Sequence, residues 1–145
     1  MLRPSLVPLN PETSTSHVEV RVRFDETDAM GIVHHGRYFG LLEIARVEWL
    51  RKRGIRYAEW ASMGRHLAVV DVTCKYMQSA RFDELLDIEV TLTELRAASL
   101  RFAYVVRRDG TALTEAMTRH ACVDNEGRLR RLDEAMFDVL RLGEA

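Results

Sequence analysis

The chain has 145 residues, 21 of them basic against 22 acidic, for a formal net charge of -1. That is the length of one domain, and the balanced charge lacks the basic excess with which polyanion binders hold nucleic acid. The two cysteines, Cys74 and Cys122, sit in apolar stretches without CxxC spacing, so they read as buried free thiols rather than a disulfide framework or a metal pair.

All three prolines, Pro4, Pro8 and Pro11, fall within residues 1–16, ahead of a Ser/Thr stretch. This composition predicts a flexible leader, with a single domain over residues 17–145. The leader lacks the apolar run of a secretory signal, and no stretch of about 18 apolar residues follows to span a membrane, so the expected location is the cytoplasm.

Val18, Val20, Val22 and Phe24 alternate with Glu19, Arg21 and Arg23, which predicts a half-buried strand. A polar loop, Asp25 to Gly36, leads to a helix over Arg37 to Arg53, whose apolar residues recur at helical spacing on more than one flank. Arg51, Lys52 and Arg53 suit its C-terminal end and Gly54 its stop, so this basic run reads as a helix end rather than a nucleic-acid patch. A short helix over Tyr57 to Met63 precedes a series of strands: Leu67 to Tyr76, Leu86 to Thr93, Leu100 to Arg107, and Thr111 to Val123, whose weaker alternation points to a bulge. Asp109-Gly110 marks a hairpin turn. A last short strand over Arg128 to Leu132 and a terminal helix capped by Asp133 complete the order. One long apolar helix beside consecutive antiparallel strands defines an α+β chain in which the sheet wraps the helix.

The densest reactive stretch is F-D-E-T-D-A-M-G-I-V-H-H-G-R-Y, residues 24–38, lying between a strand and a helix N-terminus. A carboxylate opposite free helix N–H groups can act as base or nucleophile, and those N–H groups can hold an oxyanion. Taken singly, Asp25, Glu26 and Asp28 also serve as loop-solvating and capping residues. His34 and His35 are adjacent, which is poor spacing for metal ligation from a helix, and no metal is expected. No GxGxxG, Walker or GxSxG pattern occurs.

The longer run V-R-F-D-E-T-D-A-M-G-I-V-H-H-G-R-Y-F-G-L-L-E-I-A-R resembles the signature of the 4-hydroxybenzoyl-CoA thioesterase family. The resemblance implies a hotdog fold: a long central helix wrapped by a mostly antiparallel five- to six-stranded sheet. It implies an acyl-CoA thioesterase needing no cofactor, in which Asp28 matches the catalytic carboxylate and His35 the residue whose backbone N–H polarises the thioester carbonyl. Gly36 stands as a second N–H donor and Tyr38 as the helix tyrosine. Glu43 matches a helix carboxylate that a related branch uses as its catalytic group, which makes it the rival of Asp28. Arg96 and Ser99, with Arg130 and Arg131 behind them, match the region that contacts the nucleotide of coenzyme A. Phe24 replaces a tyrosine that some members carry four residues before the catalytic aspartate. The family pattern further implies a homodimer or homotetramer with active sites at the subunit interface. The rival readings are a hotdog hydratase or dehydratase, a non-catalytic acyl-CoA-binding module, and an acyl-carrier-protein thioesterase, whose sign would be a basic docking patch around Arg51 to Arg53. His66 and His120 read as structural.

Overall fold

The computed structural model describes residues 6–142. Its central feature is helix α2, Tyr38–Lys52, one residue shorter at each end than the periodicity predicts. Tyr38, Leu41, Leu42, Ala45, Trp49 and Leu50 are buried on one side, while Phe39 and Ile44 stand exposed on the other, which is why the apolar pattern looked two-flanked. The helix ends where Gly54 takes φ +79, a conformation that costs a residue with a Cβ. There Gly54 N–H donates to Arg51 O and Ile55 N–H to Leu50 O, the paired bonds of a Schellman cap, with Ile55 buried in the same core as Leu50.

Five antiparallel strands form one sheet in the order β1-β3-β4-β5-β2. They are β1 (Thr15–Arg21), β2 (His66–Tyr76), β3 (Leu85–Leu95), β4 (Ser99–Arg108) and β5 (Thr111–Val123). Alternate residues of β3 and β4 bury Leu86, Ile88, Val90, Leu92, Leu100, Phe102, Tyr104 and Val106 on the face toward α2, where Trp49 meets Phe102 edge-on at 5.2 Å. The β4–β5 hairpin turns at Asp109 (φ 49) and Gly110 (φ 80), the two positive values that an Asp-Gly turn supplies. Helix α3 spans Tyr57–Ser62 and helix α4 Glu134–Leu142.

Three expectations are corrected. Residues 10–16 are built into the fold: Asn10 caps helix α1 (Pro11–Ser14) by accepting from Glu12 N–H, and β1 begins at Thr15. Residues 1–5 lie outside the described residues. The first strand therefore pairs earlier than its alternation predicts and ends at Arg21; Phe24 falls in a single 3₁₀ turn with its ring exposed, edge-on to Phe82 at 5.6 Å. Arg128 to Leu132 forms no full strand, only an isolated bridge between Val123 and Leu129: Arg130 N–H still donates to Cys122 O, but Leu132 N–H goes to Ala97 O in the β3–β4 turn.

Candidate active site

The loop between β1 and α2 is folded on itself. Thr27 bridges to Val33, Asp28 N–H donates to Ile32 O at 2.9 Å, and Gly31, at φ +77, makes the reversal possible. Val33 N–H donates to Ala80 O, and Ile32 bridges to Arg81, which fastens the loop to the segment after β2. Within this frame Asp28 Oδ1 accepts from Met30 N–H at 2.9 Å. Oδ2 of Asp28 takes no hydrogen bond among the described residues.

The entry to α2 is a second 3₁₀ turn, His35–Arg37, capped by His34. His34 Nδ1 accepts from Gly36 N–H at 3.1 Å, and the His34 and His35 rings stack at 4.2 Å. The Gly36 N–H is thus engaged within the loop, contrary to its expected place as a free donor. Among the described residues no backbone acceptor takes the His35 N–H, so His35 holds the open donor at the helix start.

Asp28, His35 and Tyr38 meet in one cavity of about 370 Å³, closed by Met30, Tyr76 and Met77. Tyr38 is 2% exposed; burial raises its pKa, and its hydroxyl faces Thr114 and the Ala80 backbone, so it presents only ring surface to the cavity. Sequence reasoning missed Tyr76. Its hydroxyl donates to His35 O at 2.8 Å and its ring meets Tyr38 edge-on at 5.2 Å.

The other expected site residues lie elsewhere. Glu43 is exposed on α2 and lines a separate cavity of about 220 Å³ with Arg46, Tyr57 and Phe102. Arg96 and Ser99 share a cleft of about 250 Å³ with Glu94, Arg101 and Arg119, next to the β3–β4 turn. Arg130 pairs with Asp124 at 2.8 Å. Of the run Arg51 to Arg53, Arg51 pairs with Glu48 and Lys52 donates to His17 O, both exposed, while Arg53 is buried. His66 bonds Asn125, and His120 is enclosed beneath the sheet, both away from the loop. Cys122 is buried and Cys74 half-buried, both as free thiols.

A carboxylate and a helix N-terminus lining one cavity, on a sheet wrapped around one long helix, define a hotdog protein of the thioesterase class. The model of the thioesterase-like superfamily matches residues 22–140, and the chain belongs to that family. It is 37% identical over 108 residues to the acyl-CoA thioester hydrolase YbgC of Escherichia coli O6:H1, covering 72% of this chain and 79% of that one. Among solved structures it superposes on the Thermus thermophilus protein TT1821 with a TM-score of 0.85 and 36% identity, over 88% of this chain and 98% of the other. A 4-hydroxybenzoyl-CoA thioesterase mutant complexed with 4-hydroxybenzoyl-CoA shares the fold, with a TM-score of 0.78 at 18% identity over 88% of this chain and 99% of the other.

Proposed function

We propose that this chain hydrolyses acyl-CoA thioesters to a free acid and coenzyme A, with Asp28 as the reacting carboxylate and the His35 N–H as oxyanion donor. The observation that carries the assignment is that Asp28 Oδ2 and the His35 N–H, both uncommitted, belong to residues lining one cavity. In the base route, Asp28 takes a proton from water and the resulting hydroxide adds to the thioester carbon. The oxyanion forms against the His35 N–H, the C–S bond breaks, and the thiolate leaves, to be protonated by Asp28. In the nucleophile route Asp28 adds to the thioester carbon, the C–S bond breaks to release the thiolate, and water hydrolyses the mixed anhydride to the free acid and the Asp28 carboxyl group, whose proton goes to the thiolate. Neither route leans on a strong leaving-group acid, since a thiolate departs readily as an anion.

The Arg96–Ser99 cleft, with Arg101 and Arg119, carries the charge that coenzyme A phosphates require. Within one chain it stands far from Asp28. Tyr76 pairs with Thr114, and Ser99 with Ala121, which are about 23 Å apart along β5 at ~3.3 Å per residue. A second copy resolves the separation. β2 is an edge strand of 11 residues with Val69, Val70 and Val72 exposed, and an unprotected apolar edge of that length favours pairing with another strand. Antiparallel pairing of two β2 strands lays the phosphate-binding end of one chain beside the Asp28 end of the other. The exposed side of α2, with Gly40, Ile44 and Val47, offers a second contact for a homotetramer. Free Cys74 and Cys122 fit a reducing compartment, the cytoplasm.

The test is thiol release from a panel of aliphatic and aromatic acyl-CoAs, with Asp28→Asn in parallel. Wild type is expected to turn over at least one substrate, and the folded variant to lose about a thousandfold or more in kcat. Full activity in Asp28→Asn overturns the assignment. Hydration of crotonyl-CoA with no thiol release supports a hydratase, and binding without either reaction supports a sensor.

A further inference from the structure

The geometry points to Tyr76 as a positioning residue for the thioesterase reaction: from β2 it holds the residue whose N–H meets the oxyanion. This inference rests on the assignment of Asp28 and His35 above. Tyr76 is the last residue of β2, and its hydroxyl reaches across the cavity to donate to the His35 carbonyl at 2.8 Å. His35 opens the 3₁₀ turn that leads into α2. The turn has its own cap on the other side, where His34 Nδ1 takes the Gly36 N–H. His35 is therefore restrained from two directions, by the cap within its own loop and by a sheet residue 41 positions further along the chain.

The hydroxyl has chemistry suited to that task. Cys74 precedes Tyr76 by two residues, on the same side of β2, and is within hydrogen-bonding reach of its hydroxyl. Burial raises the Cys74 thiol and, with Cys74 beside it, pushes the Tyr76 phenol up to about 12, so both groups remain protonated through neutral pH. The phenolic hydrogen goes to the His35 carbonyl, which can only accept. Tyr38 seats the ring at 5.2 Å without competing for the carbonyl, because its own hydroxyl faces Thr114 and Ala80. An oxyanion donor contributes fully only when it is aimed before the charge develops, and a shell of hydrogen bonds behind it does the aiming.

The experiment compares Tyr76→Phe, Tyr104→Phe and Asp28→Asn on the best acyl-CoA substrate of the panel, with amide hydrogen exchange at His35 followed in each protein. Tyr76→Phe keeps the ring and removes the one hydrogen bond. It is expected to lower kcat by about tenfold with KM within about twofold, and to speed exchange at the His35 amide. Tyr104→Phe, which removes a buried hydroxyl bonded to Thr118 outside this cavity, is expected to lose thermal stability while keeping kcat and the His35 exchange rate. Unchanged kcat in Tyr76→Phe, a loss confined to KM, or equal losses of kcat in both tyrosine variants overturns the positioning role. If Tyr76→Phe does not fold, the same comparison is made with 3-fluorotyrosine at position 76, which strengthens the donor: slower His35 exchange supports the role and an unchanged rate overturns it. Asp28→Asn separates the two levels, since activity surviving there removes the catalytic assignment itself, whatever Tyr76 does.

Discussion

The guanidinium of Arg53 lies 3.6 Å over the indole ring of Trp49, and the two side chains together tie the N-terminal segment to the end of α2. Arg53 donates to Ser16 Oγ, Thr13 O and Trp49 O, while Trp49 Nε1 donates to Ser14 O at 2.8 Å. A basic residue expected to complement a helix dipole at the surface is instead 9% exposed and reads the backbone of the segment before β1. Arg53→Ala removes the cation–π contact and three charge-assisted bonds, for an expected loss of about 3 kcal/mol. Urea unfolding checks it, through a lower midpoint with an unchanged slope; Arg53→Lys should recover only part, because an ammonium cannot span all three acceptors while covering the ring. An unchanged midpoint in Arg53→Ala would show the clasp to be decorative.

How much of this was legible follows from the range of each interaction. Helix α2, its Gly54 stop and the Asp109-Gly110 hairpin depend on local periodicity and on backbone preferences of single residues, so they read directly. The meeting of Asp28 and His35 in one cavity was also local, since they stand seven residues apart in one loop. What failed depended on distant partners. Asn10 followed by Pro11 is a helix-start signal, yet the surrounding prolines read as irregular chain until Trp49 and Arg53 were there to hold Thr13 and Ser14. The alternation from Val18 ran on through Phe24, but Val22 exchanges bonds with Glu84 and Asp83, and the chain turns there. Tyr76 carried no local signal, because its function lies in a bond to a residue 41 positions earlier.

Glu43 and Asp28 were rivals on residue type alone, and their positions separate them. Glu43 lies about one and a half turns into α2, in a cavity that Asp28 and His35 do not line. Glu43→Gln is expected to keep kcat/KM within about twofold of wild type, since it leaves untouched every group placed around the thioester. Steady-state thiol release measures it. A loss comparable to that of Asp28→Asn would move the chemistry onto the helix.

The edge strand supplies a prediction about assembly. Val69 and Val70 are both about half exposed at the bulge where β2 slips against β5, and Val72 is 39% exposed. Val72→Lys places a charge in the middle of this edge, the device by which natural edge strands resist pairing. Wild type is expected to elute as a dimer or tetramer by light scattering coupled to size exclusion, and Val72→Lys as a folded monomer with little thiol release. A wild-type monomer with full activity would show that one chain completes its own site, and the phosphate cleft would then have to be sought nearer to Asp28.

His120 sets the pH dependence of stability. It is fully buried on β5, and its ring is fixed between two partners: Nδ1 and the Leu67 carbonyl at 3.2 Å, and Nε2 and Thr118 Oγ1 at 2.8 Å. Since the carbonyl only accepts, Nδ1 carries the hydrogen and Nε2 accepts from Thr118, whose oxygen in turn takes the Tyr104 hydroxyl at 2.6 Å. The chain of bonds requires a neutral ring, and burial pushes its pKa from 6.5 down to about 4, with Arg46 adding a smaller contribution in the same direction. The unfolded chain therefore binds a proton at this position between about pH 6.5 and 4 while the folded chain does not. The stabilisation is present above pH 6.5 and is lost as pH falls through that window, by about 3 kcal/mol in all. His120→Gln removes the titration. Denaturant unfolding at pH 4.5, 5.5 and 7 should show wild type losing more stability than the variant on acidification, and curves that run parallel would mean that the imidazole accepts its proton without disturbing the fold.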